Sequence, residues 1–204
     1  MNYEIIPSAE TIEKTAAALK ERNINAVVVN TKEEALDKVK SLIPAGASVM
    51  NGSSTTLQQI GFVDYMKSGN SGWKNIHEDI LEEKDLQKQA ELRKQSILAQ
   101  YFLGGVQAIT ESGQILIASA SGSQLAQPAF SADNVIWVTS TDKIVPTIED
   151  AFVRLKEYVF PLENERMKTV GYPGSVVGKV LIFEREINPA RKITIILVNE
   201  KLGY

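Results

Sequence analysis

The chain has 204 residues, contains no cysteine and carries a formal net charge of −3 at pH 7. The lack of cysteine excludes disulfides, zinc–thiolate centres, iron–sulfur clusters ligated by this chain and a cysteine nucleophile. The small negative charge does not indicate binding to nucleic acid.

The amino terminus lacks the basic and apolar regions of a signal peptide. Apolar runs also stay well short of the roughly 20 residues that a membrane helix needs. We therefore expect a cytoplasmic protein with no membrane partner.

The first quarter of the sequence alternates predicted helices and strands. Ser8 can cap a first helix, and the β-branched run at residues 25–30 is typical of a buried strand. Thr31 and Glu34 have the spacing of a capping box for a second helix, and residues 47–51 predict a second strand. This alternation predicts a mainly parallel sheet covered by helices on both faces.

The middle of the chain is first polar and then helical. Residues 68–84 predict a loop with short turns. From Asp85 to about Gln100 the spacing of apolar residues predicts one long helix, with Arg93 on its inward face. A buried guanidinium is costly alone, so Arg93 must pair there with a carboxylate or with a ligand anion.

The second half contains the remaining strands. Two apolar runs flank Glu111-Ser112-Gly113 and predict a hairpin, because the glycine position often needs a positive φ. A helix begins near Pro146, and further strands are predicted at residues 135–139, 179–183 and 192–198. With no repeat or linker, one α/β domain over residues 1–204 is the simplest account. Its mainly parallel sheet lies between helices and carries a small antiparallel hairpin addition.

The main ligand-site candidate is the hydroxyl segment, residues 52–56, which lies between a predicted strand and a predicted helix. Open α/β sheets bind ligands at such positions. Gly52 allows close approach, and the helix start offers unpaired N–H groups. The hydroxyl groups of Ser53, Ser54, Thr55 and Thr56 add donors, so a phosphate or carboxylate is favoured. In the alternative, one hydroxyl caps the helix and the others face water; a P-loop lysine is absent.

Further candidates lie along the chain. Glu111 is either an exposed turn residue or a catalytic nucleophile or base. Lys143 is either solvated or directed to the same rim as the hydroxyl segment. Two donor-rich loops either line a pocket or only connect elements, and their candidate ligand residues are Gly122, Ser123, Gln124, Gly174 and Ser175. With His77 as the single histidine, we expect neither a catalytic triad nor a transition-metal site, and no cofactor.

Four segments together resemble the LUD-domain family, which includes lactate utilization protein C and its single-domain relatives. They are residues 52–61, 101–113, 135–147 and 196–203. The resemblance implies a fold similar to the group of ribose-5-phosphate isomerase, CoA-transferase and 5-formyltetrahydrofolate cyclo-ligase. It also implies that the hydroxyl segment, the Glu111 turn with Gly113, the Gly122 loop and Lys143 gather around one cleft.

The sequence departs from the family pattern at two places. Ser123 and Gln124 stand where the pattern has Asn-Arg, and Ser140-Thr141-Asp142-Lys143 stands for Gly-x-Asn-Lys. A basic ligand contact is therefore missing and an acid neighbours Lys143. These departures imply a different ligand or weaker binding.

The resemblance implies an accessory or small-anion-binding component of lactate utilization. Its partners would be separate iron–sulfur proteins that oxidise lactate to pyruvate. One alternative is a stand-alone enzyme that acts on a phosphorylated or CoA-linked carboxylate, because the Glu111 turn is similar to the glutamate turn of CoA-transferases. Another is a ligand sensor that has kept the pocket and lost the chemistry.

Overall fold

The computed structural model describes residues 3–204 and contains helices, strands and short 3-10 and π turns. The helices are α1 (Ala9–Glu21), α2 (Lys32–Leu42), α3 (Thr55–Gln59), α4 (Phe62–Lys67), α5 (Ile76–Glu82), α6 (Leu86–Gln95), α7 (Ile148–Arg154) and α8 (Phe160–Thr169). The strands are β1 (Ile24–Val29), β2 (Ser48–Asn51), β3 (Lys74–Asn75), β4 (Tyr101–Gly104), β5 (Ala108–Thr110), β6 (Ile115–Ser119), β7 (Asn134–Ser140), β8 (Ile144–Val145), β9 (Lys179–Phe183) and β10 (Lys192–Val198).

The main sheet has six parallel strands in the order β1-β10-β7-β4-β2-β3. Side chains alternate between its faces, as strand geometry requires. Ile136 and Val138 of β7 pack with α2, α3 and α4 on one face. Val135 and Trp137 pack on the other face, against α1 and a second sheet. The predicted α/β class with a mainly parallel sheet is confirmed, and both faces of that sheet are buried.

The second sheet has four strands in the order β8-β5-β6-β9. Strands β5 and β6 form the predicted hairpin, in which Ala108 pairs with Leu116 and Gly113 adopts a φ of +87°. The antiparallel pair therefore belongs to a separate sheet and is not an addition to the main one. The outer face of this sheet packs against Ala151 of α7 and against Leu155 of the π turn that follows it.

The region between residues 68 and 104 differs from the sequence expectation. The predicted loop contains β3 and α5, and the predicted long helix ends at Gln95. Helix α6 contributes no buried residue within the described chain, and Leu86 is 79% exposed. Tyr101, expected on that helix, instead begins β4, which pairs with β2 and β7 in the main sheet.

The helix starts follow the predicted capping chemistry with one difference. Ser8 Oγ accepts a hydrogen bond from Thr11 N at 3.2 Å, and Thr31 Oγ1 accepts one from Glu34 N at 3.2 Å. The Glu34 carboxylate accepts from Asn30 N at 2.7 Å, one residue before the expected donor. The predicted capping box is therefore only half formed. No helix within residues 3–204 is long and apolar enough to cross a membrane.

Candidate functional site

A cavity of about 490 Å³ lies at the edge where four neighbouring parallel strands end. Strands β7, β4, β2 and β3 lie side by side in the main sheet, so the segments after them meet at this edge. These segments supply Lys143, Gly105, the hydroxyl segment and His77 to the cavity wall. The π turn Leu155–Val159, helix α8 and the end of β6 complete the enclosure.

Most of the predicted ligand residues line this cavity. Those in the wall are Gly52, Ser53, Ser54, Thr55, Thr56, Arg93, Ser123, Gln124, Lys143 and Ser175. Gly122 and Gly174 are not in the wall. A Cβ at Gly122 would meet the Lys179 side chain at 2.6 Å, and one at Gly174 would meet the Asn164 side chain. The two glycines therefore allow close packing beside the cavity.

The Glu111 turn lies away from the cavity, so the expectation of a shared cleft is wrong for this turn. Glu111 Oε2 accepts a hydrogen bond from Lys14 Nζ at 2.8 Å, in a separate shallow depression beside α1. Gly113 packs on α1, where a Cβ would lie 2.9 Å from the backbone of Ala18. The hairpin extends the second sheet towards α1, and this direction separates Glu111 from the hydroxyl segment.

The hydroxyl segment combines structural and exposed polar groups. Gly52 N donates to Leu103 O at 2.9 Å, so this amide belongs to the sheet. A Cβ at Gly52 would lie 2.5 Å from Oε1 of Gln124, so a larger residue there would require this flexible side chain to shift. Ser54 Oγ accepts from Leu57 N at 3.3 Å and caps α3. Ser53 and Thr55 keep hydroxyl groups in the cavity wall.

Lys143 is the most unusual group of the cavity wall. Its side chain is buried, with 2% of the residue exposed, and Nζ donates to Thr56 Oγ1 at 3.3 Å. Burial lowers the pKa of Lys143 to about 7, the nearby Arg154 charge acts in the same direction, and Asp142 opposes both. Across residues 3–204, Nζ forms no ion pair. A lysine amine is ordinarily either exposed to water or paired with a carboxylate, and Lys143 Nζ is neither among the described residues.

Two more buried charged groups lie behind Lys143. Arg154 Nη1 donates to Gln107 O at 2.5 Å, and its guanidinium lies over the rings of Tyr3 and Tyr158. In the described chain, Nε and Nη2 of Arg154 and Oδ1 of Asp142 have no hydrogen-bond partner. Burial raises the pKa of Asp142. When Lys143 is protonated, the two buried cations outnumber the carboxylate of Asp142, and the local charge is positive even when Asp142 is ionised.

A second polar cluster forms the opposite wall and was not predicted. Glu163 accepts hydrogen bonds from Arg166 Nε and Nη2, both at 2.7 Å, and from Tyr204 Oη at 2.5 Å. Burial raises the pKa of Glu163, but the bonds from Arg166 and Tyr204 outweigh burial and leave the pKa lowered. The i,i+3 spacing of Glu163 and Arg166 indicates an ion pair, but it does not reveal the cavity.

Arg93 and His77 lie at the mouth of the cavity. Arg93 is exposed, and its Nη2 donates to Gln89 Oε1 at 3.2 Å. The expected internal ion pair of Arg93 is therefore wrong, because α6 lies on the surface. His77 is half-buried, and burial lowers its pKa. Apolar side chains such as Ile80, Leu155 and Val159 make up much of the remaining wall.

The arrangement can attract and hold an anion beside a partly neutral amine. One end of the cavity carries Lys143 and hydroxyl groups, while apolar side chains such as Ile80, Leu155 and Val159 can contact apolar atoms of a ligand. Among residues 3–204, no cluster of histidine, aspartate and glutamate could hold a metal ion.

The LUD-domain family model matches residues 12–198. The chain belongs to the LUD-domain family. This LUD domain is similar to a DUF162 family protein from Deinococcus radiodurans, at 14% identity over 94% of this chain and 98% of that chain, with a TM-score of 0.56. It is also matched by ribose-5-phosphate isomerase A from Neisseria gonorrhoeae, at 13% identity over 85% and 95% of the two chains and a TM-score of 0.38.

No curated protein matches the sequence of this LUD domain. The family itself is associated with lactate utilization in general terms. The likeness to the Deinococcus radiodurans structure shows a common fold.

Proposed function

We propose that this LUD domain is a cytoplasmic, small-anion-binding component of lactate utilization. The cavity would hold the carboxylate or phosphate group of its ligand next to Lys143. The observation that carries this proposal is the buried Lys143 amine in the cavity wall, with Thr56 as its hydrogen-bond partner and no ion pair among residues 3–204. A buried cation is costly unless an anion neutralises it, so a ligand anion would relieve this cost.

The surrounding groups favour the same sign of ligand charge. Arg154 adds a second buried cation, whereas Asp142 is the one carboxylate that interacts with both. Arg166 is already paired with Glu163 and contributes little free charge. An anion at Lys143 would therefore balance the buried charges, with hydroxyl groups of Ser53 and Thr55 as further donors.

The cavity is large enough for lactate and also for larger ligands. Its volume of about 490 Å³ falls within the range of about 300–1,000 Å³ that is typical of ligand pockets. The apolar wall near Val159 would contact a hydrocarbon or ring portion. Gln124 stands where the family pattern has arginine, and its side chain lies over Gly52. The ligand is therefore expected to differ from that of relatives that have this arginine.

The association of the family with lactate utilization suggests that the protein would act beside iron–sulfur proteins that oxidise lactate. The cluster would belong to those partners, because this chain has no cysteine to ligate one. Copurification from cells grown on lactate tests this partnership. Recovery of iron–sulfur partners together with loss of growth on lactate after deletion would support it. Growth that is unchanged after deletion, with no such partner recovered, would refute it.

A thermal-shift screen tests anion binding directly. The panel is L-lactate, pyruvate, inorganic phosphate, phosphosugars, nucleotides and CoA esters, assayed with the wild type, Lys143→Met and the exposed-site control Lys20→Met. A ligand at a hundredfold excess over Kd stabilises the fold by about 2.7 kcal/mol. We expect at least one anion to stabilise the wild type and Lys20→Met but not Lys143→Met. The absence of any shift across the panel would contradict the proposal.

A further inference from the structure

We propose that Lys143 binds a 2-oxo acid covalently, as an imine between Nζ and the carbonyl carbon of the ligand. This inference rests on the proposed function, because it assigns a ligand class and a reaction to the same cavity. Three features of the described residues carry it: the position of the amine, the cationic neighbour and the charge of the surrounding wall.

The position of Nζ suits attack on a bound carbonyl group. Lys143 follows β7 in the short turn Thr141–Lys143 and lines the cavity, although the residue is almost wholly buried. Its hydrogen-bond partner is the hydroxyl of Thr56 and not a carboxylate. A lysine held in an ion pair stays protonated, whereas this one can release its proton without breaking such a pair.

Gly203 packs its backbone against the Lys143 amine and Thr56. A Cβ at Gly203 would lie 2.5 Å from Thr56 Oγ1 and 3.2 Å from Lys143 Nζ. Gly203 has a φ of +62°, and its N–H donates to Gln59 Oε1 at 2.6 Å. The glycine therefore lets the backbone approach the amine closely without covering it with a side chain.

Burial, aided by the Arg154 charge and opposed by Asp142, favours the neutral, nucleophilic form of the Lys143 amine. A lysine becomes a nucleophile near neutral pH when it is desolvated or lies near another cation. Both conditions are met, because Lys143 is buried and the Arg154 charge lowers its pKa further. At a pKa of about 7, a large share of the molecules carries the free amine at physiological pH.

The reaction balances without an oxidant or a cofactor. The nitrogen lone pair forms a bond to the carbonyl carbon, and the carbonyl π electrons move to oxygen, which takes up a proton. Loss of water from this carbinolamine then gives the imine, so that one amine and one carbonyl yield one imine and one water. The Thr56 hydroxyl, 3.3 Å from Nζ, is placed to donate to the oxygen as charge develops there.

The charge of the wall selects a 2-oxo acid over an uncharged aldehyde or ketone. The carboxylate of a 2-oxo acid is bonded to the carbon that Nζ attacks, so it stays within a few ångströms of Lys143. The imine nitrogen is basic, and when it is protonated it restores the positive charge at Lys143, so that this charge and that of Arg154 outnumber the single carboxylate of Asp142. A ligand carboxylate at this point therefore supplies the missing negative charge, and the carbonyl beside it meets the amine.

Reductive trapping tests the imine. The full chain is incubated with pyruvate and sodium cyanoborohydride, and the products are examined by intact mass and peptide mapping. The wild type should gain one reduced pyruvyl group, mapped to Lys143 and at least tenfold above any other lysine. L-lactate, which has no carbonyl, should give no adduct but should compete with pyruvate. Lys143→Arg, which keeps the charge, should lose the adduct.

Peptide mapping of the wild type alone tests whether the imine forms at Lys143, even if a variant folds poorly. The imine is refuted if Lys143 is labelled no more than exposed lysines such as Lys20 and Lys88. When this result accompanies a thermal shift with any anion of the panel, only the imine fails and the proposed function stands. When neither an adduct nor a shift occurs, both proposals fail.

Discussion

Lys143 Nζ and Thr56 Oγ1 lie 3.3 Å apart, although the two residues are separated by 87 positions in the sequence. The hydrogen bond joins the turn after β7 to the first turn of α3, because the carboxyl ends of parallel strands meet at one edge of the sheet. Both side chains are buried. The pair therefore forms the polar end of the cavity.

Lys143→Met should stabilise the protein most strongly at acid pH. The pKa of Lys143 falls from 10.5 to about 7 in the folded chain, so the folded state binds fewer protons than the unfolded state between these values. Below pH 7 the charge is buried at full cost, and the cost disappears as the pH rises to 10.5. We expect a gain on the order of 4 kcal/mol at pH 6 that fades by pH 10. Denaturant unfolding at both pH values measures it, and an equal effect at both would contradict the account.

The affinity for L-lactate should fall as the pH rises above about 7. Its carboxylate is ionised throughout this range, so the titrating partner is Lys143, whose pKa is about 7 in the empty cavity. Anion binding raises that pKa and takes up a proton, so Kd should increase by up to about tenfold per pH unit above the pKa. Calorimetric titration between pH 6 and 9 measures this slope. A pH-independent Kd would exclude Lys143 as the anion partner.

Glu163→Gln should weaken the fold and strengthen anion binding. The change removes the two-point ion pair with Arg166 at 2.7 Å and the carboxylate acceptor of Tyr204. Charged hydrogen bonds in a partly buried setting contribute about 1–3 kcal/mol, and the freed Arg166 adds positive charge to the cavity wall. The control is Glu165→Gln, whose exposed pair with Lys168 should matter little. Equal effects of the two substitutions would argue against a role of this cluster in the cavity.

Glu111→Gln should leave anion binding unchanged. Glu111 pairs with the exposed Lys14 beside α1 and lies outside the cavity wall, so its loss should alter the free energy of unfolding by less than about 1 kcal/mol. Thermal shift with and without ligand measures both quantities. If incubation with an acyl-CoA gave a hydroxylamine-sensitive adduct at Glu111, the CoA-transferase alternative would regain support.

Gly203→Ala should reduce both stability and anion affinity. The new Cβ would crowd Thr56 Oγ1 and Lys143 Nζ, and the residue would keep a positive φ of +62°. Gly46→Ala provides a matched control, because Gly46 also has a positive φ of +79° but no described atom lies within 4 Å of its Cβ position. The backbone strain of about 1–3 kcal/mol is common to both. Only Gly203→Ala should weaken anion binding, and an equal loss in both variants would contradict the crowding argument.

Local sequence patterns predicted much of the fold for identifiable reasons. Strands such as β7 and β10 are apolar runs buried on both faces, and Ser8 and Thr31 supply the caps that start α1 and α2. The cavity lies where one local feature, the change from β2 to α3, predicted a ligand site, and ligand binding there stays a prediction. The four-residue strand β4 was missed because apolar residues at helical spacing continue to Tyr101.

The parts of the site that depend on tertiary contacts were not predictable from the sequence. Lys143 is an ordinary lysine in sequence, and its buried state depends on Thr56 and Gly203, which belong to distant segments. The Tyr204 contact with Glu163 likewise spans 41 positions. For Glu111 the hairpin turn was predicted correctly, but its position near the cavity was not. The direction of the turn depends on how the second sheet packs against α1, which the local pattern does not contain.

Titration of lysine side chains by ¹³C NMR is the measurement that tests the central claim most directly. We predict one Cε resonance, absent from Lys143→Met, that titrates near pH 7 in the free protein. Its midpoint should move to higher pH when L-lactate, pyruvate or phosphate is present in excess. The account would be contradicted if every lysine titrated near the ordinary value of about 10.4, or if none of these anions moved the midpoint.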